Sequence, residues 1–217
     1  MRLLPALFLL TVPMVAQEVW TFDNLVRRGE HRMKVLGDPQ LIDTPLGKAI
    51  EFDGDGDALF VETHPLAGAE TFTWEVVFRP DSDGAEEQRF FHLQESGSQT
   101  RLLFETRVLA DGWYLDAFAN SGESKPLMVP EKLHPGDRWF HIAQTYDGRW
   151  YRSYVNGELQ TEAELKLRPQ GAGRTSVGVR INLVDYFKGA IREARFTRRA
   201  LPPKKFLPIP KNGEQGR

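Results

Sequence analysis

Hydrophobic and polar positions alternate with a period of two along most of this 217-residue chain, and its clearest run is TFTWEVVFRP. There Phe72, Trp74, Val76 and Phe78 share one side, while Thr71, Thr73, Glu75, Val77 and Arg79 share the other, and Pro80 closes the run. Successive side chains of a strand point to opposite faces, so this pattern predicts a strand with one face turned into a core. The stretch WFHIAQTYDGRWYRSYVNG predicts three more strands in a tight meander, reversing at Asp147-Gly148 and Asn156-Gly157. Such pairs suit hairpin turns because Asn and Asp tolerate positive φ and glycine has no Cβ to clash.

The same reading places strands at 19–22, around Met33 and Val35, and at 47–52, 58–62, 89–94, 100–108 and 112–120. Further strands follow at 126–129, 158–167, 175–180 and 187–196. Residues 121–125 read as a loop, and Asp53-Gly54-Asp55-Gly56-Asp57 as a turn, since carboxylates and glycines are poor ladder residues. No segment carries a helical period of useful length. Short strands at regular spacing predict an all-β fold, two antiparallel sheets packed face to face as a jelly-roll β-sandwich.

The first residues change the picture of where the chain works. MRLLPALFLLTVPMVA has one basic residue and then an apolar run, which reads as a signal peptide over residues 1–16. That run is short of the roughly 20 residues a membrane span needs, so no transmembrane segment is expected in the mature protein. The expected organisation is a single domain over 18–207 and a flexible, proline-bearing tail over 208–217, in an exported protein that is extracellular or periplasmic. Cysteine is absent, which excludes disulfides, a thiolate nucleophile and Cys-ligated metals. With 28 basic and 30 acidic residues the net charge is −2, and no nucleic-acid-binding motif is present, so no nucleic-acid partner is expected.

Four segments, GKAIEFDGDGDALFVE, TFTWEVVFRP, WFHIAQTYDGRWYRSYVNGE and YFKGAIREARFTRRAL, resemble in this order the laminin-G-like domains of the concanavalin A-like lectin/glucanase superfamily. The resemblance spans nearly all of the mature chain and implies the jelly roll. It also implies Gly189 and Ile191 at the family's late glycine and isoleucine, with Arg192 where an acid is more usual. A short helical turn is implied after Ala200-Leu201.

Three chemistries are candidates. Calcium wants six to eight hard oxygens, and Asp53, Asp55 and Asp57 offer carboxylates near the edge where the resemblance implies a structural ion. The competing reading is a solvated turn whose Asp side chains hydrogen-bond their own backbone. Glycan binding needs an exposed ring for the apolar sugar face and polar groups for its hydroxyls. Trp113, Tyr114, Asp116, Asn120, Trp150 and Tyr151 form the available set, of which Trp113, Asp116, Asn120 and Trp150 are the expected ligand-binding residues. Neighbours on a strand face opposite ways, so Trp113 and Tyr114 cannot both serve. Glycoside hydrolysis needs two carboxyls about 5 to 9.5 Å apart, and only Glu105 and Asp116, on neighbouring predicted strands, come forward. The expectation is a non-catalytic exported module that binds a glycan or an extracellular protein. A ligand-free scaffold and a glycoside hydrolase or glycan lyase are the alternatives.

Overall fold

Asn156 and Gly157 both take left-handed backbone conformations, with φ of 48° and 78°, so the chain reverses there in two residues. At the other turn of the meander the Asp147 carboxylate accepts the N–H groups of Arg149 and Trp150 at 3.0 and 2.7 Å, while Gly148 alone has positive φ. Both predicted turns are present.

The structure is a computed structural model that describes residues 17–211. The predicted signal peptide and the last six residues of the predicted tail lie outside that range. In chain order the strands are β1 (Gln17–Thr21), β2 (Arg27–Arg28), β3 (His31–Leu36), β4 (Gln40–Thr44), β5 (Gly47–Asp53), β6 (Ala58–Val61), β7 (Phe72–Pro80), β8 (Glu87–Glu95), β9 (Arg101–Leu109), β10 (Gly112–Ser121), β11 (Glu123–Met128), β12 (Phe140–Tyr146), β13 (Trp150–Val155), β14 (Glu158–Glu164), β15 (Gly173–Val177) and β16 (Lys188–Thr197). A 3-10 turn, Pro203–Lys205, follows. Among the described residues no helix is long and apolar enough to cross a membrane. Residues 123–125, read as loop from sequence, are strand: β11 pairs with β10 from Ser121 opposite Glu123 to Asp116 opposite Met128.

The strands form two eight-stranded sheets. The first runs β14-β13-β12-β7-β16-β5-β4, with β1 also paired to β16; the second runs β11-β10-β9-β8-β15-β6-β3-β2. Every named pairing is antiparallel, and the two sheets form the predicted jelly-roll sandwich. Between them lies an aromatic seam. Trp74 of the first sheet meets Phe104 and Phe91 of the second at ring-centroid distances of 4.4 and 5.1 Å, and Phe78 stacks on Phe90 at 4.8 Å. All five rings are fully buried.

Two bulges depart from simple alternation. In β8 the register shifts between Arg89 and Phe91, so Phe90 is an extra residue and both Phe90 and Phe91 enter the core. In β16 the shift between Ile191 and Glu193 makes Arg192 the extra residue, at the position where the family resemblance implies an acid. Ile191 and Ala194 then both face inward, which resolves the inward side that alternation alone left open for this strand.

The outer face of the first sheet is covered by the chain's own C-terminal segment. Glu75, fully buried, accepts hydrogen bonds from Arg195 Nε at 2.6 Å and from the Leu207 N–H at 2.6 Å, and shares one with His141 Nε2 at 3.0 Å. Phe206 packs between His141 and Tyr154. Burial pushes the Glu75 carboxyl up, but the bonds from His141, Arg195 and Leu207 outweigh it, so its pKa lies below the usual carboxylate value. The stability this contributes is present above the ordinary carboxylate pKa and is lost as pH falls through the depressed one. Glu75→Gln leaves buried partners uncompensated and is expected to destabilise the protein by about 3 kcal/mol. It should also free residues 203–207, measured as faster tryptic cleavage at Lys204 and Lys205; unchanged melting and cleavage would show that the carboxylate does not hold the segment.

Candidate functional site

The outer face of the second sheet has no such cover, and its strands carry their outward residues in rows set by register. One row reads Met128, Asp116, Glu105 and Arg89 across β11, β10, β9 and β8. The next reads Pro126, Phe118, Leu103 and His92, and a third Ser124, Asn120, Arg101 and Gln94. Side chains directly opposite on antiparallel strands stand about 5 Å apart at Cβ. These rows enclose a groove of about 250 Å³, with Arg107 at one end and Arg180, from the loop after β15, at the rim.

The groove is rich in shared charges. Arg107 Nη2 donates to Asp116 at 2.9 Å and lies 3.4 Å from Glu105, while its Nη1 lies 2.5 Å from Glu87. Arg89 pairs with Glu87, with Glu105 at 3.1 Å, and with Asp185 of the same loop as Arg180. Four carboxylates thus share two guanidiniums, and Glu105 and Asp116 are themselves only 4% and 3% exposed. Burial, followed by the neighbouring Asp116 charge, outweighs Arg89 and Arg107 and raises Glu105 to about 7. Burial likewise raises Asp116, against the pull of Arg107.

Phe118 is the ring that lines the groove. It is half-buried, and the Arg101 guanidinium lies over it at 4.8 Å from the centroid. Tyr114 shares the same face beyond Asp116, opposite Arg107.

Of the four expected ligand-binding residues, the fold brings two together. Asp116 lines the groove, and Asn120 stands two rows along, its amide donating to the Gln99 carbonyl at 3.2 Å. Trp113 is in the core, 1% exposed, edge-on to Phe78 and Phe140 at 5.2 and 5.0 Å. Parity explains this correction: three residues separate Trp113 from Asp116, and an odd spacing puts them on opposite faces. Phe118 and Tyr114, at even spacing, are the aromatic companions of Asp116. Trp113 does border a second depression of about 250 Å³ among the loops near Asp81, Leu109 and Pro135, but only as part of its floor. Trp150 lies on the other sheet, flanked by Arg149 and Arg152 at 5.5 and 5.8 Å, and takes no part in the groove. The groove arginines were not among the expected residues, although the alternation of RLLFETRV places Arg101, Leu103, Glu105 and Arg107 on one face.

The three aspartates expected to bind calcium sit in the turn joining β5 to β6. Asp53 Oδ1 accepts the N–H groups of Asp55, Gly56 and Asp57 at 2.9, 3.0 and 3.3 Å. The two oxygens of Asp57 accept from Asp38 and Asp53 at 2.7 and 3.1 Å, and Asp55 points to solvent. Gly37, with φ of 73°, is required beside them, since a Cβ there would meet Asp57 Oδ1 at 2.3 Å. Asp53 Oδ1 and both Asp57 oxygens are thus committed to backbone N–H groups of the turn and of Asp38. Among the described residues no group of three or more His, Cys, Asp or Glu could hold a metal.

Comparison with solved structures places the architecture. Domain 4 of AbnA, a GH43 extracellular arabinanase from Geobacillus stearothermophilus solved with arabinotriose, matches with a TM-score of 0.65 at 18% identity, covering 87% of this chain and 94% of that one. The ligand-binding domain of botulinum neurotoxin serotype D, solved with N-acetylneuraminic acid, matches with a TM-score of 0.62 at 12% identity over 86% of this chain and 48% of that one. The binding domain of Paraclostridial Mosquitocidal Protein 1 matches with a TM-score of 0.60 at 15% identity, over 81% and 46%. This chain therefore spans about half the length of either toxin domain. At these identities the likeness shows a shared fold. Comparison with curated protein sequences finds no match. The Laminin_G_3 family model, described as concanavalin A-like lectin/glucanases superfamily, matches residues 53–205. The chain belongs to that superfamily as one of its laminin-G-like domains.

Proposed function

We propose that this protein is a non-catalytic, exported carbohydrate-binding module whose ligand occupies the groove on the outer face of the second sheet. The observation that carries the reading is the joining of a half-exposed ring, Phe118, to polar groups on the same strand faces, Asn120 and Arg101, with the Arg107-bound Asp116 at the base of the groove. A sugar offers an apolar face to such a ring and hydroxyls to such a rim. The fold relatives solved with arabinotriose and N-acetylneuraminic acid support a sugar over a protein ligand. Export rests on the apolar leader in the sequence.

A hydrolytic second reading has one observation in its favour. Glu105 and Asp116 are directly opposed across β9 and β10, and Glu105 sits at about 7, as a general acid would. Against it, both carboxyls are engaged by Arg107 and both are nearly inaccessible.

On a glycan array, Phe118→Ala is expected to weaken the strongest signal by about tenfold, or 1.4 kcal/mol, with an unchanged circular dichroism spectrum. Full retention of that signal would remove the ring from the site and with it this reading. Incubation of the bound sugar with the wild-type protein should release no new reducing ends; release that disappears in Glu105→Gln would establish the hydrolase instead.

Glu105 also makes stability depend on pH. It faces Arg89 and Glu87 from β8, Arg101 and Arg107 on its own strand and Asp116 from β10. Its folded pKa of about 7 lies above the ordinary value of 4.5. Its contribution is therefore full below pH 4.5 and is lost as pH rises through 7. Thermal melts of Glu105→Gln against wild type should show the difference between them shifting in the variant's favour from pH 5 to pH 8. A constant difference would mean the carboxyl titrates normally.

A further inference from the structure

The arginines of the groove fall into two kinds. Arg89 and Arg107 are each paired with carboxylates, as described above, although Arg107 Nε has no hydrogen-bond partner. Arg101 and Arg180 have no carboxylate within ion-pair distance among the described residues, although both line the same groove. Arg101 donates through Nη1 to the Gln99 carbonyl at 2.8 Å, rests on the Phe118 ring, and keeps a buried Nε without a partner. Burial first, and then the like charge of Arg180, lowers the Arg101 pKa, so the two guanidiniums stand close enough to repel. The same field reaches His92, in the row beside Arg101. Its burial and the charges of Arg180, Arg101 and Arg174 push it to about 3, so it stays neutral. Its Nδ1 accepts from the Ile181 N–H at 3.1 Å, which puts the proton on Nε2, a buried donor without a partner.

Arg180 is also held in place. Its carbonyl accepts the Leu183 N–H at 2.8 Å, and Leu183 and Asp185 both take left-handed backbone, with φ of 61° and 59°. A bulky residue in that region is strained, and such strain persists only where surrounding bonds enforce it. Here the enforcement comes from the Asp185 carbonyl, which accepts the Arg89 N–H at 2.9 Å, and from the Asp185–Arg89 ion pair. The loop backbone is thereby tied to β8, with Arg180 lining the same groove as Arg101.

Two convergent, incompletely bonded cations beside an aromatic ring form a receptor for an oxyanion. We propose that the groove selects sugars bearing a negative charge, a carboxylate or a sulfate, and that Arg101 and Arg180 receive that group while Phe118 takes the sugar ring. The inference rests on the carbohydrate-binding reading and adds the class of sugar. Guanidinium groups match both oxyanions with paired N–H donors, and charge-assisted bonds of this kind are about twice as strong as neutral ones. The carboxylates paired with Arg89 and Arg107 offset those two charges, so the cations left for an arriving anion are Arg101 and Arg180.

The test is an array of uronate-containing, sialylated, sulfated and neutral oligosaccharides, followed by titration of the strongest acidic binder and its methyl-esterified or desulfated counterpart. Charged sugars are expected to bind about tenfold or more tightly than their neutral counterparts, with the preference weakening as salt is raised. The uronate, sialoside and sulfate arms identify which oxyanion it is. Arg101→Gln and Arg180→Gln should each weaken charged-sugar binding by far more than neutral-sugar binding, so that most of the preference is lost. Arg149→Gln, an exposed arginine on the other sheet, should change nothing. Neutral sugars binding as well as charged ones would overturn the charge inference while leaving the carbohydrate reading intact. Equal losses in Arg149→Gln and Arg101→Gln would reduce the preference to general surface charge and overturn it too. Binding of no sugar of any class would bring down the carbohydrate reading and the inference together.

Discussion

The contact between Trp74 and the two phenylalanines Phe91 and Phe104 is the constraint on which the rest of the molecule depends. It closes one sheet on the other, and Phe78 against Phe90 and Trp113 extends the closure along the interior. Fully burying one such side chain is worth on the order of 1.5–3 kcal/mol, and this chain has no disulfide to share the load. Two adjacent phenylalanines can both enter the seam only because β8 is bulged. The bulge that feeds the core on one side also sets Arg89 and His92 on the other, so interior packing and the charge pattern of the groove come from one backbone irregularity.

That dependence explains what was legible beforehand. Where alternation is unbroken, as in β7, the inward residues Phe72, Trp74, Val76 and Phe78 are all recovered, because period two is a direct readout of the pleat. Both Asx-Gly turns were legible for the same reason, since their backbone needs few residue types. The bulges were not, because an inserted residue leaves composition unchanged and only displaces the phase. Part of the groove's face was legible: Asp116 lines the groove and Asn120 shares its face, while Trp113, chosen over Phe118 on ring size, faces the core because parity decides. Arg180 could not be assigned at all, as its position depends on a strained loop bonded to a strand some ninety residues earlier.

The aspartates of the β5–β6 turn illustrate a related point. Carboxylates close in sequence look like an ion site, yet the N–H groups of a tight turn compete for the same oxygens and are always present. In the groove the balance is reversed. Arginines there must be divided among Glu87, Glu105, Asp116 and Asp185, which leaves Glu105 under-compensated. Uneven division of that kind stores electrostatic potential on a face that remains open.

The two outer faces of the sandwich are therefore unlike. Residues 201–207 lie against β7, β12 and β13 on one of them and Glu75 pins the segment there, whereas the groove lies on the other. Under the proposed reading the groove supplies one binding site per molecule. Tight retention on a repetitive polymer would then have to come from several copies held together, where effective concentration can multiply a modest single-site affinity by about 10²–10⁴ without any new contact.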